Sequence, residues 1–481
     1  MTDFGITAYG AYVPRLRIER AHIAAAHKWA APGLRSAAKG SRAFASWDED
    51  TITMAVEAVR DALGGGGAQG VEAIRLASTN LPYADLQNAA IVAGAIGAAG
   101  SVACSDVAGS QRAGTSALLQ ALKGGERALV VGADNPRGKP ASTQELSFGA
   151  GAAAFVLGTE GVVARLIGSA TSSAVFVDHF RSADAPADYG WEERWVRDEG
   201  YAKIVPPAVK AALEDAGLGI GDIQHFVMPS YLKGAAAAVA KAIGFGGTVV
   251  DGLDDGVGYA GAAHALLMLA AALETAQPGD RLLVVGFGQG ADVLVLQATD
   301  AILTRRPARG VSGSLADGLA TDSYLRMLSF QGGIEMEWGM RSEKSAKTAL
   351  TEQYRSAGQL EGFHAGECGS CGAVQFPQLQ YCVSCHAPAE NFAQVSLRDA
   401  PAKVLTSTAD WLSYHPAPPL NVGFVQFENG ARLLMEMVDA GAAALEAGTP
   451  LRMVYRIKEK DRQRGYNRYF WKATPIGAGN N

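Results

Sequence analysis

The sequence predicts a layered α/β protein of two similar halves, followed by a zinc ribbon and a small β-barrel. Three observations predict it. From residue 1 to about 305, β-branched runs alternate with Ala-rich helical stretches, the pattern of sheets covered by helices. Within that span, "AGTSALLQALKGGERALVVGADN" from Ala113 resembles "AGAAHALLMLAAALETAQPGDRLLVVGFGQG" from Ala260. Beyond it, "ECGSCGAVQFPQLQYCVSCHAP" carries a doubled C-x-x-C, and strand-like runs come next.

The repeat sets the first two domains, residues 1–165 and 166–343. Each copy reads as a small-residue turn, a helix, a Gly turn and an Arg-led apolar strand. The offset between copies is 147 residues at the turns (Ala113 to Ala260) and 154 at the strands (Arg127 to Arg281). The second helix is therefore expected to be longer by about two turns. Two such halves present two helix N-termini to a shared centre, where a small-molecule pocket is the default expectation. In the first copy the stretch "SDVAGSQRAGTSALLQAL" (Ser105 to Leu122) puts Gln111 where the helix begins. The first amides of a helix are unpaired donors at the positive end of its dipole, a natural place for a thiolate or an acyl oxygen. Glutamine is neither nucleophile nor base.

From about 306 the chain turns polar and helical through "YLRMLSFQGGIEMEWGMRSEKSAKTALTEQYRSAG", a connector. A helix and the cysteine knuckles occupy 350–395. Cys368, Cys371, Cys382 and Cys385 can each offer a thiolate from two facing turns, a closed tetrahedral shell for a structural Zn²⁺ that folds the segment rather than catalyses. Over 396–481 short strands such as "AKVLTSTADWLSY", "NVGFVQFENGARLLMEMVD" with its Asn-Gly turn, and "LRMVYRIKE" suggest about five strands in a barrel, an OB-fold at this size.

Composition excludes several classes of function. A formal charge of -6 with no sustained basic face offers no field for nucleic acid. The opening "MTDFGITAYGAYVPRLRIER" has no basic start before an apolar run, and no stretch reaches the roughly 20 apolar residues of a membrane span. A soluble, cytoplasmic protein with neither nucleic acid nor membrane as partner is expected.

Taken together, "GITAYGAYVPRLRIER", "DEDTITMAVEAVRDAL", "AGTSALLQAL", "ALVVGADN", "GAGAAAFVLG", "PGDRLLVVGFGQGAD" and the connector's "YLRMLSFQGGIEMEWGMRSE" resemble the hydroxymethylglutaryl-CoA synthases of archaeal and bacterial type, members of the thiolase superfamily. The resemblance covers nearly all of residues 1–343. Residues 350–481 resemble the zinc-ribbon and OB-fold proteins that accompany thiolases as CoA-binding partner subunits. The resemblance implies a thiolase-like fold in layers α-β-α-β-α, acyl-CoA chemistry through an acyl-cysteine, and self-association through the thiolase-like domain.

The residues depart from what the family's chemistry needs. The nucleophile position falls on Gln111, the general-base glutamate on Asn80 in "LASTNLPYADLQ", the histidine on Met228 or Pro229 in "FVMPSYLKG", and the asparagine on Val257 in "DGVGYAGAA". Cys104, seven residues before Gln111, reads as an ordinary buried thiol. His225, on an apolar strand, and His264, one turn into a helix, read first as structural and second as replacements, as do Tyr231 and Tyr259. The charged run "DHFRSADAPADYGWEERWVRDEGY" reads mostly as a solvated loop.

Three functions stay open. The chain is a non-catalytic subunit whose ribbon and barrel bind CoA or an acyl-CoA, supporting a thiolase-family subunit in a condensing or cleaving complex. Alternatively it is a C–C lyase of retro-aldol type that needs no acyl-cysteine, with a tyrosine or aspartate as acid or base. Or it is a decarboxylase in which the Gln111 amide imitates an acylated thiol. On these residues Gln111→Cys alone is expected not to restore acyl transfer, for want of a base.

Overall fold

A computed structural model describes residues 4–343, 347–440 and 445–476. The described chain forms two units. One holds residues up to Ala45, Asp50–Ala93 and Ala98–Met327; the other holds Ser46–Glu49, Gly94–Gly97 and residues from Leu328 onward. The division falls after Met327, earlier than the residue 343 expected. Tyr324, whose hydroxyl sits 2.6 Å from both His27 and Glu145, ties the start of the connector to the first unit.

Apolar runs in the first unit build one ten-stranded sheet. Across it the strands come in the order Thr248–Val249, His225–Val227, Arg281–Phe287, Gly290–Ala298, Ala164–Ser173, Gly5–Tyr12, Gly151–Gly158, Ala128–Asp134, Ala73–Ala77 and Ala103–Val107. Each half contributes five strands in the same arrangement. Its first strand lies at the centre, its fifth beside that one, then its fourth, second and third outward. The halves meet antiparallel where Ile6 faces Ala164. The internal repeat of the sequence is thus a repeat of topology.

Two helices at equivalent places in the halves, Ala113–Gly124 and His264–Thr275, are both 12 residues long. The longer second helix expected from the sequence is not found. The extra residues form a 3-10 turn, Gly261–Ala263, before the helix and a wider loop after it, because Pro278 and Gly279 follow closely and stop helix growth. His264–Thr275 is buried almost all round, as an apolar helix between layers must be. Backbones meet at the two helix starts. A Cβ on Gly114 would stand 2.4 Å from the Ala262 carbonyl oxygen, so only glycine fits there.

In the second unit His364–Cys368, Val374–Gln375 and Phe392–Ser396 form the three-stranded ribbon. Six further strands make the OB-like module: Thr408–Asp410, Leu420–Phe427, Ala402–Val404, Pro450–Asp461 and Tyr466–Pro475 in that order, with Arg432–Glu436 paired to Leu420–Phe427. Phe363, Phe427, Tyr455, Tyr469 and Trp471 fill its interior. The interior also holds charges that sequence reading did not foresee. Lys472 lies 2.9 Å from Asp48 and 2.8 Å from Glu436, and Arg456 lies 2.9 Å from Glu49 and 2.8 Å from Asp439. Burial opposes ionisation of Glu436, but Lys472, His415 and Lys458 outweigh it and hold the carboxyl down at about 2.

Candidate functional site

Gln111 sits in a turn clamped from two sides. Ser110 donates to the Gly288 carbonyl at 3.0 Å, and Arg112 donates to the same carbonyl at 2.9 Å and to Asp292 at 2.8 Å. Asp292 also accepts from Ser116 at 2.5 Å and Thr171 at 3.0 Å. The turn that carries Gln111 is therefore held by the Gly288 turn and the strand Gly290–Ala298 of the other half, and Gln111 is 7% exposed. Its Nε2 lies 2.8 Å from Nε2 of His179, and its Oε1 accepts from the Tyr259 hydroxyl at 3.4 Å.

His179 comes from the run read as a solvated loop. It begins a small hairpin in which His179–Phe180 pairs with Tyr189–Gly190, and that pairing turns the imidazole inward. Its Nδ1 lies 2.9 Å from Oδ2 of Asp178. Nε2 is placed to accept from the Gln111 amide N–H, while Nδ1 and the Asp178 carboxylate meet as a charge contact without hydrogen-bond geometry. Burial alone lowers the pKa of His179, but Asp178, Asp188 and Asp134 outweigh it and the net shift is upward. Just before the returning strand Asp188 accepts from Arg181 at 3.0 Å, and burial raises its pKa against His179 and Arg181. Val-Asp-His-Phe-Arg does not alternate apolar and polar residues, so the sequence did not mark the strand that turns His179 inward.

Asn80 is placed close by, with its amide already used. It donates to Asp134 at 2.7 Å. Fully buried Asp134 also accepts from Thr79 at 2.8 Å, Ser78 at 3.3 Å and the Ala262 amide at 2.9 Å. A Cβ on Gly261 would lie 2.4 Å from the Asp134 carboxylate and 3.1 Å from Oε1 of Gln111, so both groups border the second helix turn.

The remaining sequence candidates divide sharply. Met228, Pro229 and Val257 are buried and offer no titratable group. Tyr231 and Tyr259 meet edge to face near the site, their ring centroids 5.7 Å apart, with Phe148 against both. Burial raises the pKa of both phenols, and the Tyr231 hydroxyl has no hydrogen-bond partner among the described residues. His225 pairs with Asp280 at 2.9 Å at the start of its strand, while Met228 follows its end. His264 is fixed at both nitrogens, accepting from the Ala260 amide at 3.1 Å and facing the Gly252 carbonyl at 2.8 Å, and burial lowers its pKa to about 4. Cys104 is half-buried rather than buried, on the strand Ala103–Val107, with burial raising its pKa.

In the second unit the four knuckle sulfurs lie within 4.8 Å of one another. Cys368 and Cys385 are 3.7 Å apart, and Cys371 and Cys382 are 3.6 Å apart. Four thiolates bound at about 2.3 Å in a tetrahedron stand roughly 3.8 Å from one another, so the cluster fits Zn²⁺. Amides of Cys385 and Ser384 point at the Cys382 sulfur and bring its pKa down to about 6, which favours the ligating thiolate.

Residues 213–296 match the family described as 3-oxoacyl-[acyl-carrier-protein (ACP)] synthase III C terminal. The chain is 33% identical over 298 residues to the hydroxymethylglutaryl-CoA synthase of Methanopyrus kandleri, covering 60% of this chain and 85% of that protein. With the hydroxymethylglutaryl-CoA synthase of Caldivirga maquilingensis the identity is 30% over 355 residues, 70% of this chain and 99% of that one. Among solved structures, one of a hydroxymethylglutaryl-CoA synthase complexed with CoA superposes with a TM-score of 0.58 at 14% identity, over 71% of this chain and 92% of that one. The 3-oxoacyl-(acyl carrier protein) synthase III of Pseudomonas aeruginosa PAO1 gives 0.54 at 23% identity, over 62% and 98%.

Proposed function

The chain belongs to the hydroxymethylglutaryl-CoA synthase family, and from that premise we propose that it binds an acyl-CoA without ever carrying the acyl group on a cysteine. Condensing-enzyme-type acyl-CoA function is common ground with its relatives. In this reading the chain is the non-transferring subunit of a thiolase-type complex that condenses or cleaves acyl-CoA, with a thiolase-family subunit as partner and self-association through the first unit. The ribbon takes a structural Zn²⁺ on its four cysteines, and the barrel binds acyl-CoA.

Gln111 carries this reading. It occupies the helix start where an acyl-cysteine would form, and its amide is engaged at both ends. An amide neither attacks a thioester nor leaves as an anion at neutral pH, so no acyl-enzyme forms there. The CoA complex of a related synthase supports CoA as the ligand.

The test uses the whole chain. After incubation with acetyl-CoA its intact mass is expected to be unchanged, while calorimetric titration with CoA gives saturable binding. A covalent acyl adduct, or no binding, overturns the proposal. One observation favours a second reading, cleavage or decarboxylation of an acyl-CoA by the chain itself: a buried histidine–aspartate pair stands at the vacated position.

A further inference from the structure

We propose that His179 is a proton-transfer group serving an acyl-CoA that bears hydrogen on the carbon next to its thioester, and that the protein exchanges this hydrogen with solvent without an acyl-enzyme. The inference rests on the acyl-CoA-binding reading and adds a reaction to it.

Three placements carry it. First, Nε2 of His179 meets the Gln111 amide at 2.8 Å, so the basic nitrogen points at the helix start where an acyl group would lie rather than into bulk water. Second, Asp178 stands behind it at 2.9 Å from Nδ1, a negative charge that steadies the cation of a histidine base. Third, buried polar atoms around it lack partners among the described residues. Asp188 is 7% exposed and keeps Oδ2 without a partner, and the buried Tyr231 hydroxyl has none either. A purely structural network closes such groups.

Proton transfer then balances without a further reactant. Nε2 takes the proton from the α-carbon, the electrons of that C–H bond become the enolate C=C, and charge moves to the thioester oxygen. The Gln111 amide N–H and the Tyr259 hydroxyl are the donors at hand for that oxygen. The imidazolium exchanges its proton with water and returns one to the same carbon. Retro-aldol cleavage and decarboxylation leave the same enolate to be protonated, so this pair would serve either.

The experiment is deuterium incorporation into acetyl-CoA in D₂O, read by mass spectrometry of the thioester, with acetyl-CoA binding measured alongside by calorimetry. Incorporation above the protein-free rate is expected, with a loss of about 100-fold or more in His179→Gln at unchanged affinity. His179→Asn is the second variant should His179→Gln lose its fold by circular dichroism. Cys104→Ser is expected to exchange at the wild-type rate, which excludes a thiol base. Asp178→Asn acts as a positioning change. Asp178 and Asp188 on the hairpin and Asp134 on the neighbouring strand all raise the basicity of His179, so removing one charge moves the pH midpoint of exchange downward. Binding with only the protein-free rate, or wild-type exchange in a folded His179 variant, overturns the inference. Absence of binding overturns the acyl-CoA reading itself.

Discussion

Gln111 and His264 show how far one residue's surroundings change what its type implies. From the sequence a thiol at position 111 should stay inert for want of a base. The structure adds a group that this expectation did not count: His179 lies 2.8 Å from the Gln111 amide with Asp178 behind it. Gln111→Cys is therefore expected to gain slow acylation by acetyl-CoA, visible in the intact mass, and Gln111→Cys with His179→Gln to lose it. Acylation of the double variant at the same rate would exclude His179 as the activating group. His264 behaves in the opposite way. Its folded pKa is depressed from 6.5 to about 4 by burial, so the unfolded chain binds a proton that the folded chain refuses. Its contribution is fully present above pH 6.5 and lost as pH falls towards 4, at a cost of about 3 kcal/mol. Denaturant midpoints of wild type and His264→Asn should converge over that window, and parallel curves would show that His264 is not the group responsible. The two residues were not equally legible. Gln111 stood out because a motif surrounds it, whereas His179 was hidden by a charged neighbourhood, since composition does not say which side chain of a hairpin turns inward.

At the scale of elements, spacing proved a good guide to existence and a poor one to length. The doubled C-x-x-C was readable because its geometry is local: each pair brackets two residues on one turn, and only the approach of two turns remains to be made. Cys368→Ser removes one of four ligands and is expected to release zinc and melt the ribbon, with the first unit still folded. Metal analysis and circular dichroism check this, and full zinc content in the variant would remove the assignment. The second repeat helix was misjudged for the converse reason. Counting residues between a turn and a strand cannot separate helix from loop, and the surplus went into Gly261–Ala263 and the turn around Pro278. Strand runs in the C-terminal region announced its six-stranded module, but not the buried Lys472 and Arg456, whose partners Asp48 and Glu49 lie some 400 residues away in the sequence. Long-range pairing of that kind leaves no periodicity to read.

For the whole molecule the decisive question is what the chain assembles with, since on the proposed reading, in which no acyl-enzyme forms, the chemistry around it needs a source. Two sources are physically distinct. If a companion supplies a cysteine, this chain contributes binding surface, and its own proton-transfer pair works on an acyl group that the companion has made or will accept. If the chain works alone, every step must pass through His179, Tyr231, Tyr259 and Gln111, and the reaction is confined to those that begin or end at an enolate. Native mass spectrometry of the protein taken from its own cells under mild conditions separates the two. A stable companion of thiolase size is the expected result, with this chain paired to it or to a second copy of itself. A homodimer with no companion would refute the subunit role and leave cleavage or decarboxylation in its own site as the surviving function. In that case deuterium exchange in His179→Gln becomes the measurement of the full reaction rather than of one of its steps.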